Sequence, residues 1–206
     1  ARTGRVWGGV RATGLRSQLS WEQDDVGLYG YGGAQALTGR GVASNNRLEA
    51  GGGGYWRARS TPDDRLELGL NLGYQHYRRN LSGYTLGHGG YFSPQHLLAL
   101  TVPVNWTGRS GRLSWGVQGA AGLQTYREES APYFPTEAGL QSWLESLVAA
   151  GQTPTARYAA RSDSGMTLNL GGALEYQITR QLDVGARIGF EHAPQYSQGM
   201  GSVYLR

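Results

Sequence analysis

The sequence predicts an all-β fold, and within that class an antiparallel transmembrane β-barrel of the outer-membrane porin type. Three observations carry the prediction. Segments of about ten residues or more alternate strictly between apolar and polar side chains, longer than the usual globular strand and matched to a tilted crossing of a bilayer. The connections between them alternate short and long, as outer-membrane barrels do with turns inside and loops outside. The third is composition: 34 Gly, 13 Tyr and 6 Trp stand against 3 Phe in 206 residues, of which only 17% are charged. Aromatics with a polar handle favour surfaces that are apolar on one side and wet on the other.

In chain order, Val6, Gly8 and Val10 predict a short strand, and Leu15, Ser17, Leu19 and Trp21 a second. Asp24-Asp25 turns the chain into a third, Val26 to Leu37, with Tyr29 and Tyr31 opposite Leu28. Thr38 to Asn46 is expected as a longer polar loop. Then Leu48, Ala50, Gly52, Gly54 and Trp56 oppose Arg47, Glu49, Tyr55 and Arg57; after the turn Thr61 to Asp64, Leu66, Leu68, Leu70, Leu72 and Tyr74 oppose Glu67, Asn71 and Gln75. A glycine-rich loop, Arg79 to Ser93, delivers the longest apolar face, His96, Leu98, Leu100, Val102, Val104 and Trp106. Leu113 to Gln124 follows a short turn. The connection Glu128 to Asp163 holds a helix predicted over about 137–150, because Leu140, Trp143, Leu144, Leu147 and Val148 recur at the helical period. Met166 to Ile178, Leu182 to Glu191 and Gln198 to Arg206 complete about ten strands. With short turns on the periplasmic side, an even count places both chain ends there.

No run of eighteen apolar residues occurs, so no transmembrane helix is predicted. A mean hydropathy of −0.46 does not oppose a barrel, because only alternate residues face lipid. A soluble β-sandwich would also alternate, but it would bury its apolar faces against a second sheet and show fewer long apolar faces tipped by Trp or Tyr. Absent cysteine excludes disulfide and thiolate chemistry. The net charge of +4 comes from scattered arginines and not a basic stripe, so no nucleic-acid partner is expected. The chain opens without a signal sequence and reads as a mature form or an excised piece.

If the apolar faces meet lipid, the opposite faces line a lumen. The residues expected there to contact a polysaccharide are Tyr29, Tyr31, Arg47, Glu49, Tyr55, Asn71, Gln75, Tyr77, Gln118, Gln124, Tyr126, Glu175 and Arg187. Balanced charge, amides and tyrosines suit a neutral, hydroxyl-rich chain, since sugar rings lie on aromatic faces and amides bond hydroxyls. No catalytic residue, metal site or cofactor is expected. The histidines share no ligand spacing; His76 and His96 fall on the apolar phase at strand ends, which predicts the membrane interface. His88 with Ser93 is the one imaginable base and nucleophile, as in barrel-embedded lipases, but no orienting acid accompanies them. Glu128-Glu129 is expected as a solvated loop pair.

The loop Gly87, His88, Gly89, Gly90, Tyr91, Phe92, Ser93, Pro94, Gln95, the strand after it, and the later Ser130-Ala131-Pro132-Tyr133-Phe134-Pro135 resemble the C-terminal domain of the cellulose synthase operon protein C family. The resemblance implies the last ten or so strands of a sixteen-stranded barrel in the bacterial outer membrane, preceded in the family by periplasmic tetratricopeptide repeats, whose 34-residue period is absent from this chain. It implies passage of a growing cellulose chain from the inner-membrane cellulose synthase complex to the cell exterior, contact with outer-membrane lipid, and no chemistry at this step. Gly87 to Gln95 and Tyr133, Phe134 and Pro135 would then be shaped outer loops near the exit. An adhesion or structural barrel, or a barrel enzyme, are the alternatives.

Overall fold

The computed structural model describes residues 7–194 and 196–206. Its strands are β1 (Gly8–Gln23), β2 (Val26–Arg40), β3 (Val42–Ser60), β4 (Asp64–Tyr77), β5 (His96–Ser110), β6 (Leu113–Glu128), β7 (Ala131–Pro132), β8 (Arg157–Tyr158), β9 (Arg161–Thr179), β10 (Leu182–Ala193) and β11 (Tyr196–Leu205), with one helix, α1 (Ala138–Ala149). Nine form one antiparallel sheet in the order β1-β2-β3-β4-β5-β6-β9-β10-β11, and β7 with β8 make a small separate ribbon. Each strand of the large sheet pairs with its neighbour in sequence across a hairpin or a loop, the up-and-down order expected of a barrel wall. Among the described residues β1 and β11 each pair on one side only.

Two expectations fail at the amino end. Thr38 to Asn46 is not a loop: β2 and β3 run through it, with Leu37 opposite Asn45 and Gly39 opposite Val42 around a tight turn where Gly41 takes φ 61°. The two short strands expected before Asp24 are likewise one strand, in register with β2 from Arg11 opposite Thr38 to Gln23 opposite Val26; Val6 lies outside the described residues. The physical reason is the same in both places. A hairpin that continues beyond the apolar zone keeps its backbone ladder and changes only its side chains, so polarity there marks the end of the apolar zone and not the end of a strand.

The large sheet thus has nine strands instead of about ten, and the odd number changes the ends. The turns after β1, β3, β5 and β9 lie at one end, which also receives the close of β11; the hairpin at Gly41, the loops 78–95 and 129–160, and the turn after β10 lie at the other, with the start of β1. The start of β1 and the close of β11 therefore lie at opposite ends of the sheet, against the expectation of a shared side.

The side-chain phase holds along every strand. One face carries Leu15 at 85% exposure and Ile188 at 70%, with Leu70, Leu100 and Leu123 among many other exposed apolar residues. The interior is inverted: Leu81, His88, Ser93, Pro94 and Glu128 are the largest fully buried side chains, and all lie on the loops or at a strand's loop end. Exposed apolar area on this scale is foreign to a soluble monomer and ordinary for a wall immersed in lipid.

Candidate functional site

Opposite the apolar face, the register assembles the predicted polar residues into rows. Tyr29 faces Gly53, which faces Asn71 and then Thr101; Tyr31 faces Gly51, Gly73, Ala99 and Gln124. Gln75 lies beside Glu49, Gln118 beside Asn105, and Glu175 and Arg187 share this phase on β9 and β10. The glycines make the tyrosines possible. A Cβ on Gly51 would sit 2.6 Å from the Tyr31 ring, and one on Gly27 would collide with the Tyr55 ring. Each ring therefore lies flat along the wall across the next strand's bare backbone. The Gly-Tyr composition is thus an arrangement that spreads aromatic faces over a smooth polar surface.

Charge on this face is neutralised locally. Arg57 pairs with Glu22 and, at 3.4 Å, with Glu67, which also takes Arg65; Glu49 takes Arg47 at 2.9 Å and Arg16 at 3.6 Å. Guanidinium groups also cover the rings, Arg16 at 4.7 Å from Tyr31 and Arg187 at 4.8 Å from Tyr204, whose hydroxyl donates to Glu175 at 3.0 Å. The Tyr55 hydroxyl donates to Glu22 at 2.5 Å. Sequence reasoning omitted Glu22, Arg16 and Tyr204. The signal for all three was parity, since each alternates with an apolar residue, Trp21, Leu15 and Leu205.

Two predicted lining residues are elsewhere in function. Tyr77 and Tyr126 carry the polar phase but are 6% and 4% exposed. Loop 78–95 folds onto the polar face and covers them, Tyr91 against Tyr77 at 5.8 Å and Phe92 edge-on to Tyr126 at 4.9 Å. They seat the loop. Beside it a cavity of about 930 Å³ opens, lined by Tyr84, Phe92, Gln124, Tyr158, Arg161 and Asn169 among others.

The loop is held by polar bonds more than by hydrocarbon. Asn45, 2% exposed, donates to the Arg79 carbonyl (2.9 Å) and the Tyr91 hydroxyl (3.1 Å), and accepts from the Arg79 N–H (2.9 Å) and the Asn46 N–H (3.0 Å). Gln95 donates to the Ser93 carbonyl and accepts from the Glu129 N–H at 2.7 Å; Asn80 donates to the Glu129 carbonyl at 2.7 Å. Glu128 corrects its sequence reading: it is fully buried, pairs with Arg161 and accepts from the Ser93 N–H, so it is not a solvated loop carboxylate. Burial pushes the Tyr91 phenol above the ordinary tyrosine range, with the Asn45 bond acting against it.

The two motif segments meet. Gly87, at φ 97°, leaves no room for a side chain against Pro135 and Thr136, and only glycine takes that angle without strain. The His88 Nε2–H donates to the Pro132 carbonyl at 2.8 Å, and its ring stands edge-on to Tyr158, which meets Tyr133 in the same way. The Phe134 N–H donates to the Gln141 side chain at 3.1 Å, which ties this segment to the first turn of α1. The Ser93 hydroxyl accepts from the Leu81 N–H at 2.7 Å. His88 and Ser93 are 1% and 0% exposed, and the bonds just given tie both side chains to backbone groups of the loops. Helix α1 falls within its predicted span; Leu144, Leu147 and Val148 of its apolar stripe are half-buried, no residue of it is fully buried, and Trp143 is 58% exposed.

A family model described as the cellulose synthase operon protein C C-terminus matches residues 1–206. The chain is 37% identical over 203 residues to cellulose synthase operon protein C of Pseudomonas fluorescens (strain SBW25), covering 98% of this chain and 15% of that protein. It is 39% identical over 217 residues to the protein of the same name in Xanthomonas axonopodis pv. citri (strain 306), covering 100% and 14%. With a putative cellulose synthase operon protein C of Escherichia coli O157:H7 it shares 32% identity over 213 residues, covering 100% and 18%. The chain thus spans less than a fifth of the length of these relatives. A solved chain described as a bacterial polysaccharide outer membrane secretin superposes with a TM-score of 0.53 at 16% identity, covering 95% of this chain and 55% of that one, a likeness of fold.

Proposed function

Since this chain belongs to the cellulose synthase operon protein C family, to whose C-terminal part it corresponds, we propose that it forms wall of an outer-membrane channel that passes newly made cellulose, a β-1,4-glucan, from periplasm to cell exterior without catalysis. The observation that carries the reading is the division of one sheet into an exposed apolar face and a polar face of flat tyrosines, amides and locally neutralised charges. A water-filled lumen with one dominant sign of charge would select ions. A neutral lining with aromatic faces instead favours a neutral polymer that binds weakly at many places, and many weak contacts allow movement.

In this reading the unpaired edges of β1 and β11 are joined by strands from elsewhere in the full-length protein, an odd number of which would bring the barrel's start to the same side as its end. The link to the inner-membrane synthase complex would run through periplasmic helical repeats. His88 and Ser93 hold the loop instead of performing hydrolysis.

The test uses the absence of cysteine in this chain, with any cysteine elsewhere in the full-length protein replaced by serine. Thr101→Cys in the full-length protein, at mid-strand on the polar face, is labelled in cells with a bulky neutral maleimide. Secreted glucan is expected to fall severalfold while barrel content of the outer membrane stays constant. Unchanged secretion from fully labelled protein would refute the channel, and loss of surface adhesion on labelling the outer loops, with secretion intact, would favour the adhesion reading.

A further inference from the structure

The outward face is not uniform from end to end. At the turn end it carries Trp21, Trp56, Trp106 and Tyr176, each 41–54% exposed. At the loop end the outward phase carries Arg11, His76, His96, Arg127 and His192, on five different strands. The two bands lie about ten residues apart along the strands, which at ~3.3 Å per residue and a tilt of about 40° is ~25 Å, the height of a barrel's lipid-facing zone. Carboxylates are distributed in the opposite way. Glu22, Glu49, Glu67, Glu175, Asp183 and Glu191 all carry the polar phase. Among the described strand residues of the outward phase the one carboxylate is Asp64, at the turn end, and it is paired with Arg59 at 2.6 Å.

The densest part of the band is on β4, β5 and β6. His96 is the register partner of Arg127, and the rings of His96 and His76 lie 5.6 Å apart. The Tyr74 hydroxyl donates to His96 Nδ1 at 3.0 Å, which leaves the His96 Nε2–H as a free donor, and His76 Nδ1 donates to the Gln95 carbonyl, which fixes that ring beside His96. On the same phase, Ser164 and Thr125 add hydroxyls bonded to each other at 2.8 Å. Guanidinium, imidazole and hydroxyl groups without a facing carboxylate form a surface for phosphate oxygens.

We propose that this outward band at the loop end binds the phosphate groups of lipid headgroups in the leaflet facing the exterior, with His96 and Arg127 as its centre and His76 packed beside them. The occupant is an anionic amphiphile because the band continues directly into the apolar face, where acyl chains would lie below the phosphate. The inference rests on the outer-membrane reading.

The experiment takes full-length protein in phosphatidylcholine nanodiscs and measures co-purification of diphosphoryl lipid A, dephosphorylated lipid A with the same acyl chains, and inorganic phosphate. Wild-type protein is expected to retain the diphosphoryl form about tenfold over the dephosphorylated form, equivalent to ~1.4 kcal/mol of phosphate recognition, with millimolar inorganic phosphate failing to displace it. The variant H76Q/H96Q/R127Q is expected to lower that ratio to near one, and R127Q alone to lower it partway. Equal retention of both lipids by wild type, or an unchanged ratio in the triple variant, overturns the proposal; displacement by inorganic phosphate overturns the amphiphile as the occupant. Should the triple variant fail to show the heat-modifiable mobility of a folded barrel, R127Q decides. Failure of the wild-type protein to enter the bilayer would instead defeat the outer-membrane reading, which is a separate result.

Discussion

Replacing Asn45 with alanine should release loop 78–95 while leaving the sheet intact. The side chain is 2% exposed and makes four hydrogen bonds, three of them to Arg79 and Tyr91 in the loop. A net worth of about 1 kcal/mol per bond sets an upper figure of ~4 kcal/mol. Arg79 itself is exposed, so water can recover part of its backbone pairing, and about 2–3 kcal/mol of local stability is the expected loss. That is a decrease of about 30- to 150-fold in the equilibrium constant for loop closure. Amide hydrogen exchange of the full-length protein in nanodiscs reads this directly, because locally opened segments exchange at a rate set by their own opening free energy. Protection should fall by that factor at Leu81, Gly89, Gly90 and Gln95, whose N–H groups bond within or beside the loop, and stay constant in mid-strand residues such as Leu100. Unchanged protection would show that the apolar contacts of Leu81 with Val42 and Ala43 hold the loop without Asn45. Equal loss in the strands would show that the loop and wall unfold together. Either result refutes the reasoning.

Three further expectations follow from the same geometry. Arg161→Ala strands a fully buried Glu128 carboxylate and should cost about 3–5 kcal/mol in denaturant unfolding of the reconstituted barrel, with Glu128→Gln added in the same chain restoring part of it. Leu100→Arg, on the outward face, should cost about 2–4 kcal/mol in lipid, whereas Ala99→Arg on the opposite phase should be near neutral; equal costs would remove the assignment of faces. Gly27→Ala meets the Tyr55 ring first and should cost about 1–3 kcal/mol by overpacking, most of which disappears when Tyr55→Ala is combined with it.

How much could be read beforehand depended on how local the cause was. The alternation at Leu66 to Gln75 or His96 to Trp106 was legible because a strand turns successive side chains to opposite faces, a rule that needs only neighbours in sequence. The helix over 138–149 was legible for the same reason, from its 3.6-residue period. The strand count was not, because Arg11 to Gly14 interrupts the apolar alternation and only pairing with β2 shows that backbone to be extended; nor was the length of β2 and β3, because Thr38 to Asn46 is as polar as a loop and is held by pairing of β2 with β1 and with β3. Tyr77 and Tyr126 had the right phase and the wrong exposure, since the rings that cover them, Tyr91 and Phe92, come from a loop whose path no local period reveals.

The sequence by itself determined the two faces of the wall, one apolar and one polar, and the family from two loop motifs. The tertiary structure alone decided that those motifs pack on each other, that Asn45 and Glu128 bind the loop onto the polar face, and that glycines lie under the tyrosine rings. These depend on groups brought together from far apart in the chain, and no local period encodes such distances.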